Sequence, residues 1–440
     1  MFADPAADPV SGPHPRHPVK RGWCPDVLHP MPTGDGLLVR LHPPLGRLNA
    51  VQLRAIAAAA QRHGNGRLDI SGRGNLQIRG IGEPSHPILV DELTAAGLSG
   101  SAGPGALARV IVSPLAGRDP ADQLDAAVLA RQVEAAVGSV QGLPGKLAIA
   151  VDGGGIFPLV ELNADIYVVA IDSTAVAIGL GSAAGPRWCG TTAPSELPMA
   201  LAALLTGFAA AIASGKAPAA MRRAPADLPA ALAAAARLAP PAIPRSRPAT
   251  PRAGILEMPD GGAGVVVAPP FGRLEAAQLI EVAGWAKRFG DGEVRLSPWR
   301  GIVFPSVRPE HLAALTALAC GAGLIAEPGD PRLAVFACPG SPDCANASVA
   351  TRRHASRLAA AAGPLLRGGA RIHVSGCAKG CAHPGRAALT LVGDGGAYRV
   401  VVAGSPRDPA IARLAIGDIE ERLRSVETSA DLASRFAGKI

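Results

Sequence analysis

Four cysteines towards the C-terminal end carry the strongest chemical signal in the chain. They form two doublets, Cys338-Pro-Gly-Ser-Pro-Asp-Cys344 and Cys377-Ala-Lys-Gly-Cys381, with five residues inside the first and three inside the second. Brought together by a helix and a strand, four thiolates are the usual holding set for an iron-sulfur cluster. Zinc is a competing reading, although structural zinc sites pair cysteines roughly two to four residues apart and the first gap fits that poorly. Four unrelated thiols are a third reading, since free cysteine often behaves as a small core hydrophobe. Pro339, Gly340, Pro342, Gly376 and Gly380 lie in or beside both doublets, where they supply turns and keep side chains out of the way.

The second set of candidates is basic. Lys and Arg number 43 against 35 acidic residues, a net charge of +8, and only six of the 43 are lysines. Aromatic residues make up 3% and no segment carries a run of basic residues, which speaks against nucleic acid. Scattered arginines suit a multiply carboxylated ligand, because the guanidinium fork binds carboxylates through two parallel hydrogen bonds. For most of them a solvated surface is the simpler account. Arg73, on a glycine-flanked turn, is placed to face a cavity.

These side chains need elements to hold them. Leu37–Leu41 reads as a strand, Asn49 as the N-cap of a helix running to about Arg62, and Gly64 as its stop. Arg67–Ser71 and Asn75–Ile81 read as strands around the Gly72-Arg73-Gly74 turn. The same order recurs further on. Val265–Val267 is a strand, Gly272-Arg273-Leu274-Glu275 opens a helix ending near Gly290, and the strands Glu293–Ser297 and Ile302–Phe304 flank a turn at Arg300. Gly46-Arg47-Leu48 and Gly272-Arg273-Leu274 repeat the same tripeptide, which marks an internal duplication. It extends to the strands opened by Arg109 and Leu333, and to Lys146–Val151 and Asp165–Asp172 against Arg371–Ser375 and Ala388–Val392. Only the second copy keeps the cysteines, so a composite site between the halves is expected.

The expected division is a disordered segment over 1–21, a first ferredoxin-like half-domain over 22–104 and a larger α/β domain over 105–193. An Ala/Pro-rich helical connector and linker follows over 194–252, then a second half-domain over 253–328 and a cysteine-bearing domain over 329–440 ending in a pair of short helices from Asp408. The fold class is α+β, with two ferredoxin-like half-domains and two larger α/β domains. The 48% hydrophobic content is that of a globular chain, and no apolar run is long enough to span a bilayer. The N-terminal residues lack a signal-peptide pattern. Seven cysteines suit a reducing, cytoplasmic compartment. Cys24, beside Trp23, reads as structural.

The cysteine spacing resembles that of the sulfite and nitrite reductases that carry siroheme beside a 4Fe-4S cluster, and the resemblance runs from about Leu37 to Gly404. In that superfamily the last cysteine, here Cys381, also bridges to the haem iron. The resemblance implies that basic residues surround the tetrapyrrole: Arg40 in Val-Arg-Leu, Arg73 and Gln77 in Ser-Gly-Arg-Gly-Asn-Leu-Gln, Arg109, and Lys146 in Leu-Pro-Gly-Lys. Val110 stands where the superfamily has asparagine, and Ala148 where it has a second lysine that serves the anion and its protons. The absence of that lysine counts against oxyanion reduction. Arg300, the second-copy counterpart of Arg73, reads as structural or as a carboxylate anchor.

Within the superfamily, Trp23-Cys24-Pro25, Pro-Met-Pro-Thr-Gly-Asp-Gly-Leu-Leu-Val-Arg and Asn75-Leu-Gln-Ile-Arg-Gly80 are similar to the precorrin-3B synthase family. That resemblance implies an oxygen-dependent monooxygenase of aerobic cobalamin biosynthesis. Its substrate would be precorrin-3A, hydroxylated at the meso carbon between rings A and D, with a ring A acetate closing to a lactone. It implies a 4Fe-4S cluster, allows a mononuclear non-haem iron, and leaves siroheme to the reductase alternative. Arg73, Arg109 and Lys146 are the catalytic candidates; with Arg40 and Gln77 they are also the substrate-binding set. Cys338, Cys344, Cys377 and Cys381 hold the metal. His42, His373 and His383 are the histidines to consider for iron, and none of their spacings is diagnostic. The Gly153-Gly154-Gly155 run is no nucleotide fingerprint, so electrons are expected from an external donor, an NADH-linked reductase or a ferredoxin-like protein. The chain is expected to act as a monomer, without nucleic acid or membrane. The alternatives are a siroheme-dependent assimilatory sulfite or nitrite reductase and a non-catalytic iron-sulfur protein that binds a tetrapyrrole.

Overall fold

The computed structural model describes residues 24–98, 109–182, 184–249 and 251–437. The expected N-terminal segment over 1–21, and Trp23, lie outside them. Contacts divide the described chain into two units, one holding residues 24–31 and 38–326, the other Pro32–Leu37 and residues 327–437.

The larger unit contains the repeat. Helix Ala50–His63 begins at Asn49, whose side chain accepts from the Val51 and Gln52 N–H groups while the Gln52 side chain returns to the Asn49 N–H. Such a cap stabilises a helix by about 1 kcal/mol. Helix Ala276–Phe289 has the same reciprocal box between Glu275 and Gln278. Gly64 and Gly290 end the two helices with matching dihedrals, φ/ψ of −117/−160° and −120/−153°. Each helix follows a short turn in which one residue, Leu45 or Phe271, takes a positive φ, 53° and 56°. The helices pack on each other, and each buries small residues beside larger apolar ones, Ala57 and Ala60 with Leu53 and Ile56 on one, Ala283 and Ala286 with Leu279 and Val282 on the other.

The two half-domains also exchange strands. One sheet runs Met31–Thr33, Gly36–Leu41, Leu76–Ile81, Arg67–Ile70 and then Arg273–Glu275 from the second repeat. The other runs Gly254–Glu257, Ala263–Val267, Ile302–Phe304, Glu293–Leu296 and then Arg47–Asn49 from the first. Leu274 pairs with Leu68 and Leu48 with Val294, and all four are buried. Where the sequence suggests that Arg273 opens a helix, this three-residue strand intervenes, because Leu274 has a hydrophobic slot to fill across the repeat. Ion pairs fix both exchanges. Arg273 Nε donates to Asp69 Oδ1 at 2.9 Å, with Arg79 at 3.4 Å on the other oxygen; Arg47 and Arg295 pair with Glu293. Removing one partner from such a buried set costs about 3–5 kcal/mol, because the remaining charge is stranded.

A third sheet, also in the larger unit, runs Gly185–Thr192, Val176–Ser182, Ile166–Ala170, Ala148–Asp152 and Arg109–Val112. Its last three strands are parallel and the others antiparallel. Both faces are covered. Val112, Ile149 and Val151 lie with Leu204 and Phe208 of helix Leu197–Ala213, while Ile111, Ala148, Ala150 and Tyr167 lie with Leu256, Val266 and Val303. The linker is pinned rather than loose, since Arg247 donates to Asp152 Oδ2 at 2.6 Å and to the Gly155 carbonyl at 2.5 Å.

The smaller unit repeats this third topology. Val335–Ala337, Ile372–Ser375 and Ala387–Asp394 are parallel, followed by antiparallel Ala397–Gly404 and Ala412–Leu414. Pro331–Ala334, in part expected as strand, is a 3-10 turn started by the Asp330 carboxylate accepting the Arg332 N–H at 2.8 Å. The two C-terminal helices begin later than Asp408, at Ile416–Leu423 and Asp431–Phe436, after the edge strand.

Candidate functional site

In the smaller unit, the cysteine loops leave the ends of its first two parallel strands. Cys338 follows Val335–Ala337 directly, and Gly376-Cys377 follows Ile372–Ser375. The Gly376 N–H donates to the Cys338 sulfur at 3.2 Å, and the Thr351 hydroxyl donates to the Cys338 carbonyl at 2.5 Å. Cys344 N–H donates to Gly340 O at 2.8 Å, and Ser375 Oγ to Cys377 O at 2.7 Å. Side chains are excluded by contact: a Cβ on Gly376 would lie 2.5 Å from Ala347 Cβ, and one on Gly340 would lie 2.4 Å from Thr351 Oγ1. Gly340 and Gly380 have φ of +73° and +65°, which glycine adopts without strain.

The four thiols feel one another. Cys381 is exposed as a residue, yet the protein atoms packed around its sulfur desolvate the thiol and push it up to about 12, with the Cys338, Cys377 and Cys344 thiols adding to the rise against the pull of Lys379. Cys377 is raised first by burial and then by Cys344 and Cys338. Thiols so placed ionise only against a strong positive charge. Among the described residues no three His, Cys, Asp or Glu side chains are set to hold one metal ion. In a four-iron cluster each cysteine takes a different iron, so the sulfurs need not converge on a point. The four-thiol donor set and the side-chain-free glycines fit such a group.

Nearby, the His383 ring stacks on Phe336 with centroids 4.6 Å apart and meets His373 edge-on at 5.9 Å. Its Nε2 donates to the Arg386 carbonyl at 3.1 Å. His42 belongs to the other unit.

In the larger unit, Arg40 and Gln77 sit on the neighbouring strands Gly36–Leu41 and Leu76–Ile81. With the Gln77 amide oriented by its neighbours, its oxygen accepts from Arg40 Nη2 at 2.8 Å and Nε at 3.0 Å. Arg73 rides a turn in which Ser71 Oγ accepts the Arg73 and Asn75 N–H groups. With His42, Asn75 and Glu134 it lines a cavity of about 170 Å³, and His42 Nδ1 donates to Asn75 Oδ1 at 2.7 Å. Arg73 also acts on Asp165, whose carboxyl burial raises and whose backbone partner Ala148 and then Arg73 pull back down. Lys146 is exposed on the turn before Ala148–Asp152. The backbone of Arg109 pairs with Ala148; its side chain lies outside the description. Ala148 is fully buried, and its N–H donates to Asp165 Oδ2 at 3.1 Å. Gly376 keeps side chains out beside the second doublet, as the sequence suggests; the roles of Thr351 and of the His42–Asn75 pair are not legible there, since each depends on a partner distant along the chain.

The family described as nitrite/sulfite reductase ferredoxin-like half domain matches twice, at residues 29–96 and 256–319. A precorrin-3B synthase from Sinorhizobium sp. is 35% identical over 396 residues, covering 88% of this chain and 84% of that protein. A chloroplastic ferredoxin–nitrite reductase from Oryza sativa subsp. japonica is 24% identical over 393 residues, covering 78% of this chain and 64% of its own. The structure of the Mycobacterium tuberculosis NirA protein superposes with a TM-score of 0.70 at 20% identity, covering 88% of this chain and 79% of that one. At that identity the likeness shows the fold alone. No described helix is long and apolar enough to cross a membrane.

Proposed function

The chain belongs to the precorrin-3B synthase family, and from that footing we propose that it is an oxygen-dependent oxidoreductase acting on precorrin-3A. The reaction inserts one oxygen atom at the meso carbon between rings A and D, with closure of the ring A acetate to a lactone. The second oxygen atom leaves as water, and two electrons come from an external NADH-linked or ferredoxin-like donor. A 4Fe-4S cluster on Cys338, Cys344, Cys377 and Cys381 would supply those electrons one at a time.

The protein's own contribution is placement. Arg40, held by Gln77, and Arg73 on its glycine-flanked turn clamp substrate carboxylates, together with Arg109 and Lys146. Arg73, Arg109 and Lys146 are the groups we assign to the reacting end of the ring. The protein works as a cytoplasmic monomer in this reading.

The observation that carries the choice between hydroxylation and oxyanion reduction is Ala148. The reductases carry a lysine here, whereas this residue is fully buried beside Ile111, Ala150 and Tyr167. A position closed by apolar neighbours offers an anion neither a charge nor a proton. The test is the absorption spectrum of anaerobically purified protein followed by acid-acetone extraction. An iron-sulfur charge-transfer shoulder without extractable macrocycle is expected; extractable siroheme would move the assignment to a sulfite or nitrite reductase.

A further inference from the structure

The Pro32-Thr33-Gly34-Asp35-Gly36 stretch distinguishes this sequence but takes no part in the chemistry above. By its contacts it belongs to the same unit as the cysteine loops. It forms the tip of the hairpin between Met31–Thr33 and Gly36–Leu41. The Gly34 N–H donates to the Asp343 carbonyl at 3.2 Å, one residue before Cys344. A Cβ on Gly34 would lie 2.4 Å from the Pro342 carbonyl oxygen, 2.9 Å from the Ala345 nitrogen and 3.0 Å from the Asp343 carbonyl carbon. All three are main-chain atoms of the first cysteine loop or its continuation, so no side chain can swing aside to relieve the clash.

Three further facts bear on the contact. Gly34 is not among the residues of positive φ, so alanine there meets no backbone penalty and acts through the contact alone. The Thr33 hydroxyl, shared between Asp35 Oδ1 at 2.8 Å and Gly36 O at 2.7 Å, holds the tip in shape. Asp343, under the tip, is 3% exposed, so the loop is clamped from the side that Gly34 covers.

We propose that Gly34 is a positioning residue for the metal cluster: the hairpin tip presses main chain against main chain on the Cys338–Cys344 loop and sets where Cys344 presents its sulfur. The inference rests on the cluster reading above. Its consequence is that an N-terminal hairpin, some three hundred residues from the four cluster cysteines in sequence, controls how tightly the cluster is held and the electronic environment it sees.

The test compares Gly34→Ala and Thr33→Val with wild type and with Gly321→Ala, a helical glycine whose added Cβ would meet nothing within 4 Å. Each is purified anaerobically. Iron and acid-labile sulfide per chain, the electron paramagnetic resonance of the reduced cluster, and the rate of cluster loss to a chelator are measured beside the melting temperature. Gly34→Ala is expected to lose at least half its iron and sulfide and to shift the resonance of what remains. Thr33→Val, which keeps the glycine contact but loosens the tip, is expected to fold and to release its cluster several-fold faster than Gly321→Ala. Wild-type iron content, resonance and release rate in both variants would overturn the inference, as would a lowered melting temperature with an unchanged cluster. Wild-type protein devoid of iron and sulfide would instead overturn the cluster reading itself.

Discussion

The two larger sheet domains, residues 109–192 and 335–414, share one topology and differ in what their loops hold. In each, the second parallel strand ends at a glycine that tolerates no side chain. A Cβ on Gly153 would lie 2.4 Å from Leu124 O, and one on Gly376 would lie 2.5 Å from Ala347 Cβ. In each, the carbonyl of that glycine accepts from the loop after the first strand: Gln123 at 2.7 Å in one, Ser348 at 3.4 Å in the other. The frame was kept and the chemistry was exchanged. Where the second copy places thiols, the first places Asp119, Asp122 and Asp152, tied to the Ile156, Ala126 and Leu159 N–H groups and to Arg247. The carboxylates close the loops on themselves, whereas the thiols are the groups that the proposed function assigns to a cluster. The division of labour between copies thus lies in the residues at strand ends, while the strands supply the register.

The comparison breaks most completely at the thiols. Cys344→Ser is expected to lose the iron-sulfur absorption and all turnover; a variant without detectable cluster and with full turnover would contradict the assignment. The next effect concerns Ala148, whose counterpart in strand pairing is Ile372. Ala148→Lys buries an ammonium in an apolar cluster and is expected to cost about 3 kcal/mol or more in urea unfolding. Wild-type stability would show that the first copy still has room for a reductase lysine.

Arg73→Ala sharpens the comparison by separating the copies. Tetrapyrrole affinity is expected to fall about tenfold, as for a lost charge-assisted pair, with the cluster spectrum unaltered; unchanged affinity removes Arg73 from the site. The smallest effect is electrostatic. Burial, and then the Asp119 and Asp152 charges, push Asp122 up to about 7 from 3.8. A raised carboxylate favours folding at low pH and loses that contribution as pH rises through the folded value. Asp122→Asn should therefore match wild type near pH 4 and exceed it in stability above pH 7. A stability difference independent of pH would mean the aspartates do not crowd one another.

Much of this frame is legible in the sequence. Asn49 and Gly64 mark their helix because capping is local, and the recurring Gly-Arg-Leu exposes the duplication. The exchanged strands Arg47–Asn49 and Arg273–Glu275 are not legible, since three residues cannot show a period and their partners lie in the other repeat. Val176–Ser182 hides for a different reason. Gly179 and Gly181 interrupt its apolar pattern, and Gly179 is there because a Cβ would lie 2.8 Å from the Trp188 ring. The cysteines and the glycines beside them, Gly340, Gly376 and Gly380, announce themselves by spacing, whereas the contacts of Thr351 and Gly34 on the first cysteine loop are made by long-range packing. The expectations for Trp23 and for the side chain of Arg109 fall outside the described residues.

The tetrapyrrole is either substrate or prosthetic group, and one turnover decides between them. Anaerobically purified protein is mixed with precorrin-3A and excess chemical reductant, which supplies the two electrons, then exposed to isotopically heavy O2, and the tetrapyrrole is analysed by mass spectrometry. The account predicts a lactonised product that carries one heavy oxygen atom. Precorrin-3A recovered unchanged from protein that reduces sulfite or nitrite would contradict it.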